Sequence, residues 1–401
     1  MATLESMAGD LHTSAHPVDD WSDERRKDTL RSTRLGHNWI HFGGLRRSMV
    51  RIGFVVLAVM ILCSQYWAHD VAPERERLAT TQPQIHHIFD AADPADSDTA
   101  VVDLVGLGNL DASRTARSLP ALSGIGQVWA VQYDNAGIDT AVISRIVTTY
   151  ALSLGIDEIV LIGHSMGGII ALEVATHIVD ETDVQLRAVI LDCTPINLHA
   201  VRAQSRDAGE DLLRWMGWLP GARESRGLRL VVEMAARKDR FLVTDDEAHP
   251  VFDPGAFITT ARGVLRQKIF NPNSASNGLI QSQFRAIVAS GATDDLAAID
   301  DAADKRPFPA IVFMRPDFGT DDPVVDVNYS QELLFAETGG PQGRLLVVRM
   351  PSTGHANPMQ QPEAYNAAII DQVIPYFRQL EIEASGTAAA GAAVRASDQP
   401  R

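Results

Sequence analysis

Residues 157–171 constrain this chain more than any other stretch. They read Asp-Glu-Ile-Val-Leu-Ile-Gly-His-Ser-Met-Gly-Gly-Ile-Ile-Ala. The apolar run Ile159–Ile162 stops at Gly163, Ser165 follows, and a helix-patterned run begins around Gly167 and Gly168. Gly-x-Ser-x-Gly between a strand and a helix is the setting of a nucleophile elbow. A serine held on so sharp a turn needs a strained backbone, and its flanking positions can carry almost no side chain. The N–H of Met166, at the helix N-terminus, then points at negative charge developing beside Ser165.

The surrounding sequence alternates in the βαβ manner. Strands are expected at 100–105, 127–132, 157–162, 187–192, 309–314 and 344–350, with a further short candidate at Ile85–Phe89. Helix patterns fall at about 112–120, 138–154, 166–180, 328–337 and 361–380. The strands are mostly continuous apolar runs, which suits a parallel sheet covered on both faces. The fold class is therefore α/β, and its chemistry is expected at the carboxyl ends of the strands. Of the twelve histidines, His355 stands apart. It follows the strand-like run Leu345–Met350, in the loop Pro-Ser-Thr-Gly-His-Ala-Asn-Pro.

On its Gly-His-Ser-Met-Gly-Gly elbow the sequence resembles the α/β-hydrolase family, in particular its lipases, esterases and thioesterases, over about residues 98–380. The resemblance implies a triad in the chain order Ser, acid, His. Ser165 would be the nucleophile and His355 the general base. The family often places its acid in Gly-x-x-Asp after a late strand, which from Gly319 points to Asp322. Asp321 is one residue off, while Asp317, Asp326 and Asp192 are further alternatives. The lead-in Arg-Pro-Asp-Phe before Gly319 is longer than the family usually has. The second oxyanion donor would come from the loop after 100–105. There Val105 stands where the family often has histidine, and Leu107 or Gly108 would supply the N–H.

Composition narrows the alternatives. A net charge of −16 and the lack of a Lys/Arg-rich run with interleaved aromatics argue against nucleic acid as a partner. Cys63 and Cys193 have no metal or disulfide spacing, and there is no His-Glu-x-x-His and no phosphate-binding glycine loop. The chemistry read here requires no metal and no cofactor.

The N-terminus carries a separate signal. Residues 1–48 are polar and read as a disordered cytoplasmic segment. Ile52–Cys63 is an unbroken apolar run, flanked on its N-side by Arg46, Arg47 and Arg51 and beyond it by Asp70, Glu74 and Glu76. Residues 49–68 are expected as a single-pass signal-anchor with the hydrolase domain outside the cytoplasm. The alternatives are a cleaved signal on a secreted protein, or a buried or interfacial helix. Residues 69–97 read as a linker, 98–194 and 309–380 as the core, 195–308 as a helical cap, and 381–401 as a disordered tail. Within the cap, Asp211-Leu-Leu-Arg-Trp-Met-Gly-Trp-Leu219 is apolar and aromatic. Either these side chains form the cap's own core, or Trp215, Met216 and Trp218 line an acyl pocket. The expected function is a serine hydrolase cleaving a small-molecule or lipid acyl ester. A thioesterase or acyltransferase would use the same triad, and a non-catalytic membrane-anchored binding protein is the reading from a different class.

Overall fold

The computed structural model describes residues 23–33, 43–244, 250–302, 308–340 and 343–383. The chain divides into two units, Met1–His69 and Asp70–Arg401. In the first, Asp23–Ser32 and Gly44–Tyr66 are helical. The helical run Arg46–Leu78 contains an 18-residue window of mean hydropathy 1.9, none of whose residues is buried, so it is long and apolar enough to cross a membrane. The remainder of the expected disordered segments, 1–22, 34–42 and 384–401, lies outside the described residues.

The second unit is organised by a seven-stranded sheet in the order β1-β3-β2-β4-β5-β8-β9. Its strands are β1 (Gln84–Phe89), β2 (Thr99–Leu104), β3 (Gln127–Gln132), β4 (Glu158–His164), β5 (Gln185–Asp192), β8 (Ala310–Pro316) and β9 (Leu345–Met350). A small hairpin, β6 (Leu242–Thr244) with β7 (Pro250–Phe252), stands apart from it. Only β1 runs antiparallel, against β3; every other pair in the large sheet is parallel. Every residue of β2 and β8 is buried. That is why these segments read as apolar runs without alternation: both of their faces are covered. The stretch 69–97, expected as a linker, holds the helix Ala72–Leu78 and the edge strand β1.

Two groups of helices flank the sheet. Thr140–Leu154, Met166–Glu181 and Ala292–Asp301 pack on one another as one group. Ser113–Ser118, the 3₁₀ turn Pro120–Gly124 and Pro362–Ala368 belong to the other, where the Asn366 side chain bonds the Ala121 N–H and the Ser118 carbonyl. Local chemistry sets the ends. Asp139 caps Thr140–Leu154 through the Val142 N–H at 3.0 Å, and Gly155 closes it at φ 70.

Between β5 and β8 the chain is largely helical, with Ala203–Trp218, Arg226–Ala235, Pro254–Val264, Asn277–Val288 and Ala292–Asp301. Part of it has a core of its own, in which Met234, Phe241 and Val264 are buried together and Phe257 meets Phe241 edge-on at 5.2 Å. Ala292–Asp301, within the expected cap, packs against Met166–Glu181. Asp70 secures the N-terminus of Arg226–Ala235, accepting from the Arg226 N–H at 2.9 Å and the Ser225 hydroxyl at 2.6 Å.

Candidate active site

β4 ends at His164 and the next helix starts at Met166, which leaves Ser165 alone in the turn at φ 55, ψ −122. A positive φ costs a non-glycine residue about 1–3 kcal/mol. Two backbone bonds hold it there: the Ser165 N–H donates to the Asp192 carbonyl at 2.7 Å, and the Gly168 N–H to the Ser165 carbonyl at 3.0 Å. The flanking glycines are required by space. A Cβ on Gly163 would lie 2.4 Å from the Gly167 carbonyl oxygen, and one on Gly167 would lie 2.3 Å from that of Leu104.

His355 reaches this serine from the loop after β9. Its Nε2 is 2.8 Å from Ser165 Oγ, and its Nδ1 is 2.8 Å from Asp322 Oδ2. Chemistry assigns the tautomer: Nδ1–H donates to the carboxylate, and Nε2 accepts from the serine hydroxyl. The other Asp322 oxygen accepts from the N–H groups of Val324 and Val325, both at 2.8 Å. Asp322 is fully buried. Its loop is tied down by Arg202, whose guanidinium donates to the Asp322 and Gly319 carbonyls at 2.7 Å.

The rival carboxylates lie elsewhere. Asp321 is exposed at the end of a 3₁₀ turn, and Asp326 caps Val327–Glu337 through the Tyr329 N–H. Asp317 is half-buried just past β8, where its N–H donates to the Met350 carbonyl. Asp192 sits beneath the elbow, 2.8 Å from His164 Nδ1 and 3.0 Å from the Tyr365 hydroxyl.

That buried cluster supports the serine from below. Parallel register sets His164 opposite Asp192, and Asp103 of β2 lies 3.5 Å from His164 Nε2, an ion-pair distance. Burial alone would pull the His164 imidazole down. Asp103 and Asp192 outweigh it and push the imidazole up to about 10, so it is a cation at neutral pH. Burial in turn pushes the Asp103 carboxyl above its ordinary value. The Tyr365 oxygen also accepts from the Asn357 N–H at 3.1 Å, and Asn357 Oδ1 accepts from the Gly354 N–H. The elbow and the His355 loop therefore share one set of partners.

The loop after β2 forms the other side of the serine. Gln283 clamps it, with Oε1 accepting from the Gly108 N–H at 2.8 Å and Nε2 donating to the Asn109 carbonyl at 2.9 Å. The Gly108 N–H is thus engaged, and the Leu107 N–H is the expected donor that this clamp leaves. A cavity of 310 Å³ contains Ser165, His355 and Leu107, with apolar walls that include Leu198, Val201, Phe284 and Ile287.

Of the residues expected to line an acyl pocket, Met216 is buried and faces a second cavity. Trp218 is 84% exposed and lines neither cavity, which corrects its expected place. On a helix, residues two positions apart are separated by roughly 200° of arc, so Met216 and Trp218 cannot face one pocket. The Trp215 side chain lies outside the described residues. Gln283 and Arg202 were not anticipated, because each acts on a loop far away in sequence and no local motif marks it.

Cys193, Asp322 and His355 place potential metal-ligand atoms within 4.8 Å of one another. The donor set suits a metal poorly. Burial pushes the Cys193 thiol well above its ordinary value, and both His355 nitrogens are already bonded.

The α/β hydrolase family profile matches residues 84–368. The chain belongs to the α/β hydrolase family. No curated protein sequence matches it. Among solved structures, this α/β hydrolase is similar to a carboxylesterase of the thaumarchaeon Nitrososphaera gargenis at 14% identity and a TM-score of 0.46, over 75% of this chain and 96% of that one. It is also similar to the monoacylglycerol lipase of Paleococcus ferrophilus (14%, TM-score 0.43, 74% and 99% covered). An esterase of Exiguobacterium antarcticum is comparable (16%, TM-score 0.44, 74% and 96% covered).

Proposed function

We propose that this α/β hydrolase is a serine esterase that cleaves carboxylic esters through an acyl-enzyme. The observation that carries this reading is the continuous hydrogen-bond chain from Asp322 through His355 to Ser165, 2.8 Å at each step. His355 Nε2 takes the hydroxyl proton as Ser165 Oγ attacks the ester carbonyl. Asp322 keeps Nδ1 protonated and stabilises the imidazolium that forms. The N–H groups of Leu107 and Met166 hold the oxyanion. His355 then gives its proton to the departing alcohol, and the acyl group stays on Ser165. Water, activated by the same nitrogen, attacks the acyl-enzyme and releases the acid.

The apolar walls of the cavity favour an ester with an apolar acyl group. The same parts would act on a thioester or pass the acyl group to another acceptor, so the preferred bond has to be read from turnover. The helix Gly44–Tyr66 is the proposed anchor, with Arg46, Arg47 and Arg51 on the cytoplasmic side and the hydrolase unit across the membrane.

The test is turnover of p-nitrophenyl esters with acyl chains from C2 to C16, with Ser165→Ala as control. The variant should fold normally and lose roughly 10⁴- to 10⁶-fold in kcat. Near-normal turnover by Ser165→Ala would sink the proposal.

A further inference from the structure

A third cavity, of 160 Å³, shares no lining residue with the one around Ser165. Arg77, Arg223, Arg226, Arg229 and Lys268 line it, against the carboxylates of Glu74 and Glu224. In a chain of net charge −16, such a concentration of cations is a local reversal of sign.

The ion pairs around it leave positive charge over. Glu74, 5% exposed, grips Arg77 with both oxygens, at 2.6 and 2.9 Å, and also meets Arg226 at 2.5 Å. One carboxylate thus answers two guanidinium groups. Glu233 is shared in the same way by Arg229 and Arg237. Glu224 pairs with Arg75, which does not line the cavity. Arg223 donates to the Ala136 carbonyl, and neither it nor Lys268 has a carboxylate partner among the described residues. The helix Asn277–Val288 also begins at the cavity and has no acidic residue in its first turn, so the positive end of its dipole adds to the field.

We propose that this cavity binds a phosphate group, carried by an anionic phospholipid headgroup or by a soluble phosphate ester. Arginine is the side chain best matched to phosphate, because its planar fork donates two parallel hydrogen bonds to neighbouring oxygens. The group has four oxygens, each about the size of a water at roughly 30 Å³, and so it fits. Two features point to the lipid as its source. Glu74 follows Trp67, at the end of the apolar run, by seven residues, so the chain itself keeps this wall within about 25 Å of that run. Ile269 and Phe270 also line the cavity, and Phe270 is 68% exposed. Apolar surface beside cations suits a charged headgroup on an apolar body. The site goes beyond the esterase reading and does not depend on it.

The experiment uses the full chain as Ser165→Ala, so that an ester lipid is not consumed, in nonionic detergent micelles. Native mass spectrometry measures retention of phosphatidylglycerol, phosphatidylcholine and glycerol 3-phosphate. Phosphatidylglycerol should bind about tenfold or more tightly than phosphatidylcholine, whose choline carries a positive charge. Arg223→Glu and Lys268→Glu, made separately in the same background, should each weaken that binding about tenfold or more. Neither removes an ion pair that holds the fold, and Lys268→Gln serves if a charge reversal prevents folding. Glycerol 3-phosphate bound as tightly as phosphatidylglycerol, with the same sensitivity to the variants, would support the site and make its ligand soluble. Retention of neither phosphate, equal retention of the two lipids, or retention unchanged in a folded variant would overturn the site. The readout needs no ester cleavage, so a failure here leaves the esterase standing, and a failure of the esterase leaves the site.

Discussion

Asp322 is fully buried and uses both carboxylate oxygens, one toward His355 and one toward the Val324 and Val325 N–H groups, whereas Asp321 is exposed. The two should therefore differ sharply in effect. Asp322→Asn keeps an acceptor for the valine N–H groups but sets an amide against His355 Nδ1 and removes the charge that steadies the imidazolium. Its kcat should fall about 10⁴-fold at little change in melting temperature, while Asp321→Asn should stay within about twofold. Equal losses would remove Asp322 from its proposed role. His164 supplies a pH prediction. Its proton is held up to about 10 against an ordinary 6.5, so its stabilising effect is complete below about 6.5 and is lost as pH climbs through about 10. Asp103, Asp192 and the Tyr365 hydroxyl face this cluster, and Tyr133 adjoins Asp103. Burial holds the Asp103 carboxyl above its ordinary value. Melting temperature should drop between pH 7 and 10, and His164→Asn should flatten that slope on a curve set lower overall. A parallel slope in the variant would contradict the assignment.

At the scale of elements, what could be read from the sequence followed from physical necessity. The strands announced themselves because parallel strands buried on both faces read as mostly apolar runs, as β2, β4 and β8 do even with Asp103, His164 and Arg315 among their buried residues. Ser165 was visible because its turn excludes side chains at 163 and 167. The tethers were not visible, because nothing local demands them. Arg202 holds a loop 117–120 residues away, and Gln283 clamps one 174–175 residues away. Side-chain directions on Ala203–Trp218 were equally hidden, since a cluster of aromatic and apolar residues does not reveal which face meets the cavity. The Gln283 clamp gives the prediction at this scale. Gln283→Ala frees the loop that carries Leu107 and leaves the Asn109 carbonyl without this partner. It should lower kcat about tenfold or more through the oxyanion donor's placement, at a cost of about 1–3 kcal/mol in stability. A loss confined to stability, with kcat intact, would make the clamp purely structural.

The whole molecule joins an apolar helical run to a hydrolase unit. The run has the length and composition of a membrane span, and large apolar side chains such as Phe54 and Leu62 are each 69% exposed. The proposed anchor makes its prediction at this scale. The full chain should partition with membranes and resist extraction by high salt or alkaline carbonate, and deleting residues 1–68 should move the protein to the soluble fraction. A soluble full-length chain would count against the anchor. The central claim, that Ser165 is an activated nucleophile, can be tested without knowing the substrate. A fluorophosphonate probe should react with the full-length protein, and peptide mass spectrometry should place the adduct on Ser165, with no labelling of Ser165→Ala or of denatured protein. A folded protein that takes up no probe, or takes it up equally in Ser165→Ala, would contradict the account.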